Sequence, residues 1–506
     1  MTTFPANEVS VAIIGAGISG LRCADILLRS GVKVKIYEAR NRIGGRVHHI
    51  PFGGHLVDLG ANWIHSPNGS PIKKLAEHVK AVTFPRPKNQ AIVGSDGKRK
   101  SDAVAIWMHE KRLEVIEKAS KYSSECSQEI DANASLMDFF KDEISKELSN
   151  KPEILQDMLN EAQRWGQMVG EPVDQQSLKF LCIEEGPGGT DLFVASSYQD
   201  ILALISKLVL EKNAVKLGAE VKQIISETTS KGRSIAIKTV DGTRDTFDEV
   251  VVTCPLGWLK QNKESAFSPA LPPRLSQAID NINYGRLEKI YVSFPAAFWL
   301  DSSESNNKPP CFTHFHDPSY VSHPSTIPSN LIAISLAHLP RAATQPTLLF
   351  YMHGPCTTRL LSSVKNHSPH SDAYNTILEE FIHPYYSRMP GYSPNNPSCK
   401  PISYRCTMWQ FDRFAGCGSY SHFQKGVENA AEDVEVIREA GGMGDTRGVW
   451  LAGEHTAPFG SMATTTGAYI SGERVAERIC RKRGVVVVKE IETDRLTSAP
   501  RNEVDP

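Results

Sequence analysis

Apolar and polar positions at the start of the chain change period twice within forty residues. Val9–Ile14 is apolar except for Ser10, the pattern of a strand buried on both faces. Ile18–Ser30 places Leu21, Ala24, Ile26 and Leu28 along a helix that Gly31 ends, and Val32–Tyr37 alternates as a second strand. Residues 102–180 are rich in Glu, Lys, Ala and Leu at helical spacing and predict a helical insertion. Leu217–Ile225 reads as another strand of the nucleotide-binding domain. Ile235–Val240, the turn Asp241–Gly242 and Phe247–Cys254 read as a hairpin turn and a buried strand. Strands are expected at Lys289–Phe294, Leu331–Leu336 and Leu348–Met352, between Pro-, Ser- and Asn-rich loops at 301–330 and 386–400. A helix over Gly467–Arg481 follows, then the strand-length run Gly484–Val488. No internal repeat is visible.

The first strand breaks into Gly15-x-Gly17-x-x-Gly20, and the second ends at Glu38. Glycine triplets at this spacing are weak evidence alone. Between a strand and a helix, with an acidic residue at the next strand end, they describe a dinucleotide site. Gly15 permits the turn, Gly17 lets a pyrophosphate approach the backbone, and Gly20 lets the helix pack on the sheet. The helix N-terminus offers free N–H groups, and Glu38 can accept from a ribose diol. Arg40–Arg46 resembles the element of families that bind FAD in this way, where Gly-Gly-Arg continues the phosphate cradle and its arginine offsets pyrophosphate charge, so the resemblance implies FAD rather than NAD.

With 506 residues the chain exceeds the ~100–200 of one domain. It is expected to be α/β, with two interleaved domains. One would comprise 1–85, 200–275 and 405–482 and bind the cofactor; the other, 86–199 and 276–404, would bind substrate, leaving 483–506 as a tail. The 56 basic and 57 acidic residues balance, so neither nucleic acid nor a membrane surface is suggested as partner. Ten scattered cysteines without a Cys-x-x-Cys suggest reduced thiols and no metal site. With no secretory signal and no apolar run near ~18 residues, a cytoplasmic location is expected.

Several segments together resemble the flavin amine oxidase family, and within it the polyamine oxidases of fungi and plants. They are Gly15–Gly20, Glu38, Gly44–Arg46, Leu59-Gly-Ala-Asn-Trp-Ile-His65, Lys289 in Glu-Lys-Ile-Tyr-Val-Ser-Phe, Gly418–Ser421, Gly453-Glu-His-Thr456 and Thr464–Tyr469. The resemblance implies a Rossmann-type FAD-binding domain interleaved with a substrate domain of mixed sheet and helices. It implies transfer of a hydride from the carbon next to an amine nitrogen to flavin N5. Imine hydrolysis and reduction of O2 to peroxide would follow. Spermine, spermidine or acetylated polyamines are the expected substrates. Gly60, Ala61, Asn62, Val221, Trp409, Gly453, Glu454, Thr464 and Thr465 would join the glycine loop around FAD. Ser419 at the position where some members carry a cysteine implies a non-covalent flavin, although Cys417 is close.

The same resemblance assigns Lys289 to holding a water near flavin N5 and to reoxidation; an outward-facing strand lysine is the alternative. His65 would contact a substrate nitrogen, or be a loop histidine satisfied by backbone. Trp63, Tyr420 and Trp409 would wall the flavin or the amine, or simply pack the core. Thr464 stands where a second aromatic is found in some relatives, which opens the site. Glu184 or Glu185 would anchor a distal ammonium, or form a surface pair beside a turn. Two other functions stay open. One is an L-amino-acid or specialised-metabolite amine oxidase, although no arginine stands out at a pocket motif. The other is an FAD-binding scaffold or sensor without catalysis.

Overall fold

A computed structural model describes residues 8–88, 90–184, 186, 188–229, 232–300, 310–321 and 330–489. The N-terminal apolar run lies in the middle of a five-stranded parallel sheet. Its strand order is Val449–Leu451, Glu249–Val252, Ser10–Ile14, Lys33–Tyr37 and Val215–Lys216. Ile13 sits between Val251 and Ile36 and is fully buried, as a strand covered on both faces requires.

The predicted helix forms over Ile18–Arg29, and the last helix, Thr465–Arg483, packs against it. The approach is close enough to demand glycine: a Cβ on Gly472 would lie 2.2 Å from the Ser19 carbonyl oxygen. The Ser19 and Ser471 hydroxyls meet at 3.0 Å beside it. The first and last described helices are thereby fixed to each other.

The later strands divide between two sheets. The strand read at 217–225 forms as Val221–Thr229 in a separate four-stranded sheet. It pairs antiparallel with Gly232–Thr239, because a short hairpin needs no crossover. Only Val215–Lys216 joins the parallel sheet. The hairpin turn and the buried strand read over 235–254 both form: Gly232–Thr239 pairs with Arg244–Phe247, and Glu249–Val252 enters the parallel sheet. The run Gly484–Val488 lies in neither sheet, and Val486 is 81% exposed.

A six-stranded sheet makes the second layer. Its order is Ser403–Cys406, Glu288–Ser293, Thr347–Met352, Leu331–Ser335, Phe312–Phe315 and Gln90–Val93, antiparallel except for the last pair. The helical insertion consists of Asp102–Cys126, Leu136–Leu148 and Pro152–Ala162. Phe140, Ile144 and Met158 are buried between these helices, and a capping box of Ser135 and Asp138 starts the second. Among the described residues no helix is long and apolar enough to cross a membrane, and no cluster of His, Cys, Asp and Glu could hold a metal.

Candidate active site

A cavity of about 640 Å³ runs from the glycine loop to the six-stranded sheet and is lined by both ends of the chain. At one end Gly17 precedes the helix Ile18–Arg29, and no side chain caps that helix. A Cβ built on Gly17 would meet nothing within 4 Å, so the cradle over these N–H groups is open. Glu38 braces the loop: one carboxylate oxygen accepts from the Ala16 N–H at 2.7 Å and the other from the Arg40 N–H at 2.8 Å. Each oxygen keeps a lone pair for a ribose hydroxyl. Uncapped N–H groups, an open glycine face and a braced carboxylate are what a dinucleotide requires, so these residues fit FAD.

Arg40 lines the cavity but is already paired with Asp412 at 2.8 Å. Arg46 reaches across to the other chain end, donating to Glu454 at 2.9 Å and to the Ser419 carbonyl at 2.6 Å. Glu454 also accepts from the Ser421 hydroxyl at 2.6 Å. Thr464 caps the last helix: its hydroxyl oxygen accepts from the Gly467 N–H at 2.9 Å. Its small size therefore reflects capping as well as an open pocket. Ser419 lines the cavity and Cys417 is not among its lining residues, which is compatible with a non-covalent flavin.

Lys289 lies on the strand Glu288–Ser293, and its ammonium is buried rather than turned to solvent. It donates to the Gly60 carbonyl and to Asn62 Oδ1, with the Asp58 carbonyl at 3.4 Å. Asn62 Oδ1 also accepts from the Tyr351 hydroxyl at 3.0 Å, and that hydroxyl accepts from Trp63 Nε1 at 3.0 Å. A polar chain thus links Lys289 to the aromatic wall. Burial pushes Lys289 down from its ordinary pKa and pushes the nearby Asp58 carboxyl up; the mutual attraction of the two opposes both shifts. Glu288, wholly buried and bonded to Thr407 and the Gln410 N–H, is pushed up to about 7 by burial.

At the far end His65 Nδ1 is 3.1 Å from Asp191, and the ring stacks on Trp63 at 6.5 Å. Asp191 also accepts from the Ser66 N–H, so this loop histidine is held by a carboxylate rather than by backbone. Burial would raise the Asp191 carboxyl, but His65 and Arg86 outweigh it and hold the group below its ordinary value. Tyr420 lines the cavity and donates to the Met168 carbonyl, and Trp409 donates to the Leu59 carbonyl. Glu184 reaches the cavity, accepts from the Phe423 N–H at 3.1 Å and is pushed up to about 7 by burial. Glu185, the other candidate, lies outside the described residues.

Of the residues read from the sequence, Gly20 alone among those described stands back from the lining. A Cβ there would lie 2.1 Å from the Gly15 carbonyl oxygen, so its work is helix-to-strand packing. The sequence reading missed Asp58, Arg86, Asp191 and Tyr351. It found no arginine at a pocket motif, yet Arg86 lines the cavity over the Trp63 ring, 5.4 Å from its centroid. The single local signal at that position was the Arg-Pro-Lys sequence after Pro85, which marks a loop and no chemistry.

Comparison with known proteins places these features in context. The model of the flavin-containing amine oxidoreductase family matches residues 18–480. Probable polyamine oxidase 4 of Arabidopsis thaliana is 29% identical over 306 residues, covering 58% of this chain and 59% of that protein. Lysine-specific histone demethylase 1 homolog 2 of Arabidopsis thaliana is 25% identical over 497 residues, covering 94% of this chain and 58% of that one. The chain spans a little over half the length of these two relatives. A putrescine oxidase variant redesigned in cofactor binding superposes with a TM-score of 0.67 at 17% identity, covering 94% of this chain and 99% of that one. That likeness establishes the amine oxidase fold.

Proposed function

The chain belongs to the flavin-containing amine oxidoreductase family, whose cofactor is FAD, and from that premise we propose that it oxidises amines of the polyamine type, including acetylated forms. FAD, when bound, supplies the hydride acceptor for the carbon next to the amine nitrogen and passes the electrons to O2. In this reading the Gly15–Gly20 turn and its helix hold the pyrophosphate, Glu38 the ribose, and Arg46 with Glu454 closes the site from both chain ends. The six-stranded sheet and the helical insertion shape the end that receives the amine.

The observation that carries the reading is Lys289: a buried ammonium held by Gly60 and Asn62 at the wall of a cavity that both chain ends line. A lysine without a task is rarely buried, because desolvation of the ammonium opposes folding. His65 supports the amine end. With Nδ1 bonded to Asp191, Nε2 is left to accept from a substrate N–H and help keep the amine neutral. Trp63 and Tyr420 offer ring faces to a cationic or neutral nitrogen. The plant polyamine oxidase relative supports the substrate class, and the demethylase relative marks a different use of the same family.

The test is anaerobic mixing of the purified flavoprotein with spermine, spermidine, N-acetylspermine and benzylamine, followed by admission of air. Bleaching by a polyamine with peroxide formed on aeration supports the proposal. Bleaching by benzylamine alone moves the substrate to simple monoamines. No bleaching by any amine refutes amine oxidation and leaves a flavin-binding protein without this chemistry.

A further inference from the structure

Arg86 is an unexpected group in a pocket meant for polyamines. Its guanidinium lies over Trp63 at 5.4 Å and Phe312 at 5.8 Å, on the wall of the cavity. Among the described residues its side chain has a hydrogen bond to the Met168 thioether at 3.0 Å and the Asp191 carboxylate at 3.5 Å. A thioether is a weak acceptor and 3.5 Å is long for an ion pair, so most of the five N–H donors lack a good partner. Burial pulls the guanidinium below its ordinary pKa, and Asp191 offsets this only in part.

The protein behind Arg86 is also positive. Arg112 and Arg164 converge on the buried Glu161, with Arg112 Nε 3.3 Å from it and His316 Nε2 at 3.0 Å. Burial keeps His109 and His314 below their ordinary values, so neither adds charge near neutral pH. Three guanidiniums therefore face two carboxylates, Glu161 and Asp191; Glu184, also on the lining, already accepts from the Phe423 N–H and is pushed up to about 7 by burial. Two further polar groups at this end of the cavity are unmatched among the described residues: Trp165 Nε1, a donor, and Gln167 Oε1. A second ammonium placed here would satisfy Gln167 Oε1 but meet like charge at Arg86 and behind it, whereas an oxygen acceptor would complete both Arg86 and Trp165.

We propose that Arg86 determines substrate choice: beyond Trp63 the amine carries an oxygen acceptor, a carboxylate or an acyl carbonyl, in place of a second ammonium. This rests on the amine oxidation proposed above and narrows it. N-acylation of a diamine supplies the acyl-ended amine, and oxidation of one amine end to an acid is one route to the carboxylate-ended one.

The experiment is anaerobic flavin reduction of the holoenzyme by three matched amines. They are spermidine, its N-acetylated form, and the analogue with one terminal aminomethyl group replaced by a carboxylate. An acceptor-ended amine is expected to outperform spermidine by about tenfold or more in the ratio of reduction rate to half-saturating concentration. Arg86→Gln is expected to remove most of that preference, and Arg86→Lys, which keeps the charge but not the fork, to retain part of it. Preference for the carboxylate over the acetamide identifies an anionic end, and the reverse identifies an acyl end; either supports the proposal. Spermidine equal to or better than both in the native enzyme overturns the role of Arg86 while leaving amine oxidation standing. Reduction by no amine overturns both.

Discussion

Replacing Glu454 by Gln keeps the side-chain shape and removes its charge. In the native protein one oxygen accepts from Arg46 at 2.9 Å and the other from the Ser421 hydroxyl at 2.6 Å. A glutamine can keep its oxygen toward Arg46 and donate its amide to the Ser421 hydroxyl. The two short hydrogen bonds then survive, and the losses are the charge pairing and the long contact at 3.4 Å from the Ser421 N–H to the oxygen that faces Ser421. Breaking a buried ion pair costs about 3–5 kcal/mol. The Arg46 side chain is 24% exposed, which lowers the expectation to about 2–4 kcal/mol. Burial alone would raise the Glu454 carboxyl, but Arg46, His455 and Ser421 outweigh it and hold the group below its ordinary 4.5. A carboxyl depressed in this way stabilises the fold above its unfolded pKa, and the contribution disappears as pH falls through the folded value. Urea denaturation of the purified protein and the Glu454→Gln variant should therefore differ by about 2–4 kcal/mol at pH 7. The gap should hold to about pH 5 and narrow below about pH 4. A gap under about 0.5 kcal/mol at pH 7, or one undiminished near pH 3.5, would refute the claim that this pair ties the chain ends.

Three other perturbations probe separate parts of the molecule. Lys289→Met should leave flavin reduction by a good amine within about threefold while slowing reoxidation by O2 about 10²-fold, the scale for losing one placed charge; stopped-flow traces of the two half-reactions decide, and equal loss in both would count against a role in reoxidation. Glu38→Ala strips the carboxylate from the Ala16 and Arg40 N–H groups, and should weaken FAD binding by about 2–3 kcal/mol in a titration of apoprotein. Unchanged affinity would show that Glu38 does not organise the cradle. Gly472→Val drives a side chain into the Ser19 carbonyl and should cost at least about 3 kcal/mol of stability, read by thermal unfolding, whereas a neutral result would contradict the close packing of first and last helices.

Legibility divided along the range of the forces involved. The strand, helix and strand between residues 10 and 37, the glycine turn and Glu38 could be read because periodicity and backbone freedom act over a few residues. Gly453–Glu454 and Lys289 were readable through the family pattern they complete. Val221 lines the cavity from the separate four-stranded sheet, a placement its run does not state, because an apolar run records burial and not its pairing partner. The tertiary structure alone brought Asp191 to His65 across 126 residues and Arg46 to Glu454 across 408. It alone placed Arg86 over Trp63. Sequence by itself determined which groups could bind a dinucleotide, since that site is built from local backbone geometry. What faces the amine is a sum of charges and rings from segments with no pattern in common, and only packing decides which of them meet.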